Sequence, residues 1–189
     1  MRSVAPNTPA LTLEEFLKLS ETKPASEYLN GEIYQKPMPQ GKHSLLQTRL
    51  ATAINQVGEP PKLAYAFTEL RCTFAGRSIV PDIVVFEWQN IPLDGDGTIA
   101  NRIERAPDWI IEILSPEQSA NQVIRKIIFS LQNGTKLGYL IDCEDKSITV
   151  FLPNSLPEIK EKQDILPMLD VLQSWQLKAE DIFNWLKFC

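Results

Sequence analysis

Hydrophobic positions along this chain change period several times, and each change marks an element. Residues 42–57 place Leu45, Leu46, Leu50, Ala53, Ile54 and Val57 at helical spacing, and Gly58 with the Pro60-Pro61 pair ends that helix. A second amphipathic helix covers 119–132, with Val123, Ile127 and Leu131 inward and Asn133-Gly134 as its stop. A first helix opens at Thr12, where Glu15 three residues on completes a capping box, and residues 178–188 close the chain as a short helix carrying Ile182, Phe183, Trp185 and Leu186. Strand-like runs occupy 63–74 (broken near Glu69), 79–88 and 108–114, with 89–107 as a surface loop. Asn30-Gly31 sits between two short alternating runs, and Glu144-Asp145-Lys146 separates runs 137–142 and 147–152, which predicts two hairpins. The order helix, hairpin, helix, strands, helix, hairpin, helix predicts a mixed α/β fold with a central sheet flanked by helices. It alternates too little for a barrel.

Composition narrows the class. A length of 189 residues with 43% hydrophobic and 23% charged residues suits one globular domain over 1–189, with 1–10 as an N-terminal arm. No apolar run approaches the roughly 20 residues that cross a bilayer, and the first residues lack a secretory pattern. Cys72, Cys143 and Cys189 are odd in number and form no CxxC pair, which argues against a disulfide framework or zinc site and fits a cytoplasmic protein. Nineteen Lys+Arg against 24 Asp+Glu give a net charge of −5. A nucleic-acid role therefore needs a local groove, or metal cations that reverse the sign of a site.

Two carboxylates do not belong in their surroundings. Asp82 is the single charge among residues 79–86, and Glu112 the single charge among 109–114. An ionised carboxylate inside an apolar strand is costly unless something pairs with it. Alternation places Asp82, Val84 and Phe86 on one face, and Ile110, Glu112 and Leu114 on one face of the other strand. If the strands are neighbours with those faces aligned, the acids meet, and then one takes a proton or a cation sits between them. Hard oxygen ligands suit magnesium or manganese. The structural alternative is a turn-capping Asp after Pro81 and a Glu paired with an arginine such as Arg71 or Arg77.

Val80-Pro81-Asp82 ahead of an apolar strand, then Glu112-Ile113-Leu114 on the next, resembles the signature of the PD-(D/E)XK nuclease superfamily. More narrowly, the chain resembles a restriction-endonuclease family long filed as a domain of unknown function and abundant in cyanobacteria. Residues 27–32, His43 opening a helix, 80–86, 111–116, Lys126 in a helix and 138–142 follow the family's order over nearly the whole chain. The resemblance implies a restriction-endonuclease-like fold with a four-stranded core sheet. It also implies metal-dependent DNA cleavage, with Asp82, Glu112 and the Ile113 carbonyl as metal ligands, and pairing into a homodimer to cut two strands. The superfamily lysine would fall at position 114, where this chain has Leu114. The family supplies a helix lysine instead, which points to Lys126, with Arg125 as the weaker substitute. An acid that the family often carries early in that helix is replaced here by Asn121 or Gln122.

Further candidates are His43, the one histidine of the chain, as a proton shuttle or a locally bonded helix-start residue; Glu32, which matches an acidic family position but by itself reads as a surface strand residue; and Glu69, as a metal-side acid or an exposed edge position. Asp94-Gly95-Asp96-Gly97 lacks the ligand spacing of an EF-hand and reads as a turn. The sequence thus predicts a magnesium- or manganese-dependent endonuclease acting on DNA through Asp82, Glu112 and Lys126, assisted by His43 and Glu32. Two other readings are a catalytically inert nuclease-fold binding module and a hydrolase of some other phosphoester.

Overall fold

The computed structural model describes residues 11–116 and 118–188; the expected N-terminal arm at 1–10 and Cys189 lie outside the described residues. Helix α1 (Leu13–Phe16) starts at Thr12, whose hydroxyl accepts from the Glu15 N–H while the Glu15 carboxylate accepts from the Thr12 N–H. Strands β1 (Ser26–Leu29) and β2 (Glu32–Gln35) form the expected hairpin, with Asn30 and Gly31 both at positive φ as a two-residue primed turn requires. Helix α2 (Gly41–Gly58) is followed by β3 (Ala64–Thr68), β4 (Cys72–Phe74), β5 (Arg77–Ile79), β6 (Ile83–Glu87) and a 3-10 turn at Trp88–Asn90. After the loop come β7 (Trp109–Ile113), α3 (Ala120–Gln132), β8 (Leu137–Asp142), β9 (Ser147–Phe151), β10 (Glu158–Glu161), a second 3-10 turn at Asp170–Leu172 and α4 (Ala179–Asn184). Among the described residues no helix is long and apolar enough to cross a membrane.

Two sheets result. A small antiparallel sheet has the order β2-β1-β5-β4, and a mixed sheet has the order β10-β9-β8-β7-β6-β3, in which β7 and β8 run parallel. One face of the large sheet buries Ile83, Val85, Ile111 and Ile113 with Leu46, Leu50 and Ile54 of α2. The opposite face buries Val84, Phe86 and Ile110 with Val123 and Ile127 of α3. Each strand of the central pair is thus apolar on both faces, which explains why a lone charge in either is informative.

The structure departs from the sequence reading in four places. The expected strand at 79–88 is two strands in different sheets, because Pro81 offers no N–H to a ladder and the chain crosses between sheets at Val80-Pro81-Asp82. The large sheet has six strands rather than the four that the resemblance implied. Strand β10, which nothing in the hydrophobic pattern announced, is an edge strand with three of its four residues exposed. Helix α4 is shorter than 178–188. The break near Glu69 is real: Glu69 has φ 52 and separates β3 from β4.

Close approach at Gly138 seats α3 on the sheet. A Cβ there would lie 2.4 Å from Ile127 Cγ2, and Ile127 is fully buried and has no room to swing away. Gly138→Ala is expected to lower stability by about 1–3 kcal/mol, the usual range for overpacking, measured by urea denaturation. An unchanged midpoint would mean that α3 shifts freely.

Candidate functional site

The antiparallel register of β6 and β7 pairs Ile83 with Ile111 and Val84 with Ile110. One step further, at the end of both strands, sets Asp82 opposite Glu112. Directly opposed residues share a face, so the alignment on which the acid pair depended is present. The Asp82 carboxylate is tied down from several directions. Its Oδ2 accepts from the Ile113 N–H at 2.7 Å and lies 3.1 Å from His43 Nε2, while its Oδ1 accepts from Lys36 Nζ at 2.7 Å. Glu112 Oε1 lies 2.8 Å from Lys126 Nζ without the angle of a hydrogen bond. Lys126 Nζ donates at 2.8 Å to Glu27 Oε1, which also accepts from the Val80 N–H.

The chain crossing at Pro81 is what brings these groups together. It frees main-chain groups that a regular strand would have used, and site residues take them up. The Val80 carbonyl accepts from Lys36, and the Asp82 carbonyl accepts from Gln47 and from the Glu69 N–H. Buried polar main chain needs such partners, so the side chains that satisfy it are fixed in place. Glu69 Oε1 in turn accepts from Lys36 at 3.0 Å and from Gln47.

Electrostatics splits the two acids. Burial pushes the Glu112 carboxyl up to about 8; the Asp82 charge adds to the rise and Lys126 opposes it. Asp82 is also buried, but the His43 imidazole and the Lys36 ammonium outweigh burial and hold it well below the usual carboxylate range. Burial works against the Lys126 ammonium as well, yet Glu112, Glu27 and Asp82 keep it charged well above its ordinary range. Of the pair, Glu112 is the acid that keeps a proton to higher pH, which is how close carboxylates ease their repulsion without a metal. Counting formal charges, the buried carboxylates of Glu27, Asp82 and Glu112 face the two ammonium groups of Lys36 and Lys126, which leaves negative charge in excess once Glu112 ionises.

The structure thus brings together four of the residues singled out in the sequence, Asp82, Glu112, Lys126 and His43, and adds Glu69 at the edge of the network. Glu32 is not in contact with them. It is exposed on β2, bonded to Tyr34, and lines a cleft of about 770 Å³ between the β1–β2 hairpin and α3. Neither arginine weighed as a partner reaches the acids: Arg71 pairs with Glu21, and Arg77 donates to Asn30 and covers the Phe129 ring. Leu114 packs among apolar side chains and offers no cation; Lys126 does. Glu27 and Lys36 were missed. Glu27 lies in the family-like stretch 27–32, but nothing local in the pattern signals that either residue is buried. The Asp94-Gly95-Asp96-Gly97 segment is a turn in which Asp96 accepts from Thr98.

A divalent cation fits these residues in one specific way. Among the described residues no three His, Cys, Asp or Glu side chains converge in a geometry that could hold a metal ion. The oxygen donors on hand are the Asp82 and Glu112 carboxylates, Glu112 with a buried oxygen lacking a hydrogen bond, while the Ile113 N–H is spent on Asp82. Two carboxylates completed by water and substrate oxygens is the coordination habit of magnesium, and the hard donor set excludes a zinc-type cage.

Comparisons with known proteins give the family and the fold. No match was found among curated proteins. Among solved structures, the chain is similar to a "putative nuclease belonging to DUF820 from Anabaena variabilis ATCC 29413", with 47% sequence identity, a TM-score of 0.91, and coverage of 93% of this chain and 99% of that one. Residues 13–180 match the Uma2 family, described as "Putative restriction endonuclease". With the match spanning nearly all of the described fold, the chain belongs to the Uma2 family of restriction-endonuclease-like proteins.

Proposed function

We propose that this protein hydrolyses phosphodiester bonds of DNA with the help of magnesium or manganese held by Asp82, Glu112 and the Ile113 carbonyl. The observation that carries the reading is the convergence, at the ends of two adjacent strands, of two carboxylates with opposed proton affinities and an ammonium group delivered from a helix. When bound, such a cation supplies Lewis acidity and an activated water.

The chain's own residues do the rest. Asp82 is held ionised and in one orientation by the Ile113 N–H, Lys36 and His43, so it is a preformed anionic ligand. Glu112, whose carboxyl burial raises, would hold the cation in its ionised form, with the cation's charge offsetting the cost of losing the proton. Lys126 stays protonated and lies beside Glu112, where its N–H groups serve as donors to a phosphate oxygen whose negative charge grows at the transition state. His43 positions Asp82, and its buried Nδ1 has no partner among the described residues.

A second reading, the inert nuclease-fold module, is favoured by one observation: ammonium groups already touch both acids. Melting and cleavage separate the two. In millimolar magnesium or manganese the folded protein is expected to nick DNA, and EDTA to abolish it. If the metal binds tenfold above its Kd, the gain of about 1.4 kcal/mol raises the melting midpoint by roughly 3–5 °C. A folded protein showing neither cleavage nor a shift would establish the inert module.

A further inference from the structure

The acids of the site are walled off. Asp82 and Glu112 are 2% and 1% exposed, and neither lines the cleft. The layer in front of them lines it: Lys36 beside Asp82, Lys126 beside Glu112, and Glu27 bonded to Lys126, each pair within 2.8 Å. A phosphate reaches the cluster by entering the cleft, between the β1–β2 hairpin on one side and α3 on the other.

Beyond the lysines already paired with the buried acids, Arg77 and Arg125 line the cleft against Glu32, in a chain with a net charge of −5. Basic groups concentrated in one concave place attract an anion and raise its local concentration. The walls add groups suited to bases rather than to a phosphate alone. Tyr34 contributes a half-buried aromatic ring, and Asn30, Gln35 and Gln122 contribute amides that both donate and accept. A volume of about 770 Å³ lies in the range that encloses a small organic ligand, hence a short stretch of nucleotides. Stacking on the Tyr34 ring requires a base freed from its partner, because in a double helix the bases are paired and stacked on one another in the interior.

We infer that the cleft between the β1–β2 hairpin and α3 takes an unpaired polynucleotide strand, with Arg125 at its rim contacting the phosphodiester backbone and Tyr34 stacking on a base. The inference takes its chemistry from the nuclease reading but concerns binding, and it is tested apart from cleavage.

The experiment measures fluorescence anisotropy of labelled oligonucleotides with the full chain in EDTA, where no cleavage occurs. The probes are a single-stranded DNA of ten nucleotides, the same sequence as RNA, the corresponding DNA duplex, and a mononucleotide competitor. Single strands are expected to bind at least tenfold more tightly than the duplex, and DNA against RNA identifies which strand the cleft prefers. Arg125→Glu, an exposed change on α3 whose fold is checked by melting, should weaken the single-strand complex about tenfold and flatten its salt dependence by roughly 0.7 in log–log slope or more. Tyr34→Ala should weaken it several-fold with the slope unchanged. Equal or tighter duplex binding, a mononucleotide that competes as well as the oligomer, or an Arg125→Glu variant with wild-type affinity would each overturn the inference. Preferential single-strand binding without cleavage in manganese would leave the inference standing and remove the nuclease reading instead.

Discussion

Replacing Lys126 by methionine is expected to destabilise the protein by about 3–5 kcal/mol, the range for leaving a buried charge without its partner. Methionine matches the aliphatic stem of lysine, so packing between Val123 and Ile127 on α3 is retained and the effect isolates the ammonium. Glu27 and Glu112 both lose the cation that each contacts at 2.8 Å. The pH dependence fixes the cause. Glu112 is already raised to about 8 by burial with Lys126 opposing, so removing Lys126 raises it further. A carboxyl whose folded value lies above its unfolded one stabilises the fold fully below the unfolded value and loses that contribution as pH rises through the folded value. Wild type and variant lose the Glu112 contribution alike up to the wild-type folded value, so the variant should fall further behind wild type only as pH rises above about 8. Urea melts on either side of that pH test this, and adding Glu112→Gln to Lys126→Met should recover part of the loss. A gap to wild type that does not widen above about pH 8 would mean that the ammonium does not hold the Glu112 carboxylate charged.

Which parts of this network were legible in the sequence follows from how far apart its members lie. Asp82 and Glu112 announced themselves because each is the single charge of an apolar run, Asp82 just ahead of β6 and Glu112 within β7, and their register follows from ordinary antiparallel pairing. Lys126 is different. Its helix face was legible, since Val123 and Ile127 flank it inward, but a lysine between them reads as solvent-facing, and its role came from the family resemblance alone. Glu27 and Lys36 were not legible at all. They enter the site because the small sheet docks its hairpin against the crossing at Pro81, joining residues 53 and 44 positions apart in the chain. No local period encodes such a contact. The same crossing split the expected strand at 79–88, and its cause, Pro81, was in view but was read as part of a motif rather than as a break. Strand β10 escaped because an exposed edge strand has no apolar face to betray it. Of the C-terminal aromatics, Phe183 joins the core, Trp175 and Trp185 pack against it, and Phe188 stays exposed beneath Arg49.

Asp82→Asn is expected to lower DNA cleavage by at least about a hundredfold, as loss of a charged group at a metal or transition-state site does, and to abolish the metal-dependent rise in melting midpoint. The amide keeps the volume and one acceptor oxygen, so the Ile113 N–H can still be satisfied, but its NH2 group then faces Lys36 or His43, which approach as donors. A moderate loss of stability, about 1–3 kcal/mol, should accompany the change. The two effects separate on comparison with Lys36→Met, which also removes an ion pair to Asp82 but leaves both carboxylates in place. If Asp82 is a ligand, Lys36→Met keeps a metal-dependent shift while Asp82→Asn loses it at equal stability. If Asp82 serves structure alone, the two variants should behave alike in melts with and without manganese, and cleavage should follow the folded fraction in both. Activity retained in folded Asp82→Asn would remove the metal assignment, whatever the fate of Glu112, because the buried donors left beside Glu112 are main chain, His43 and Glu27, and Glu27 is already engaged by Lys126 and the Val80 N–H.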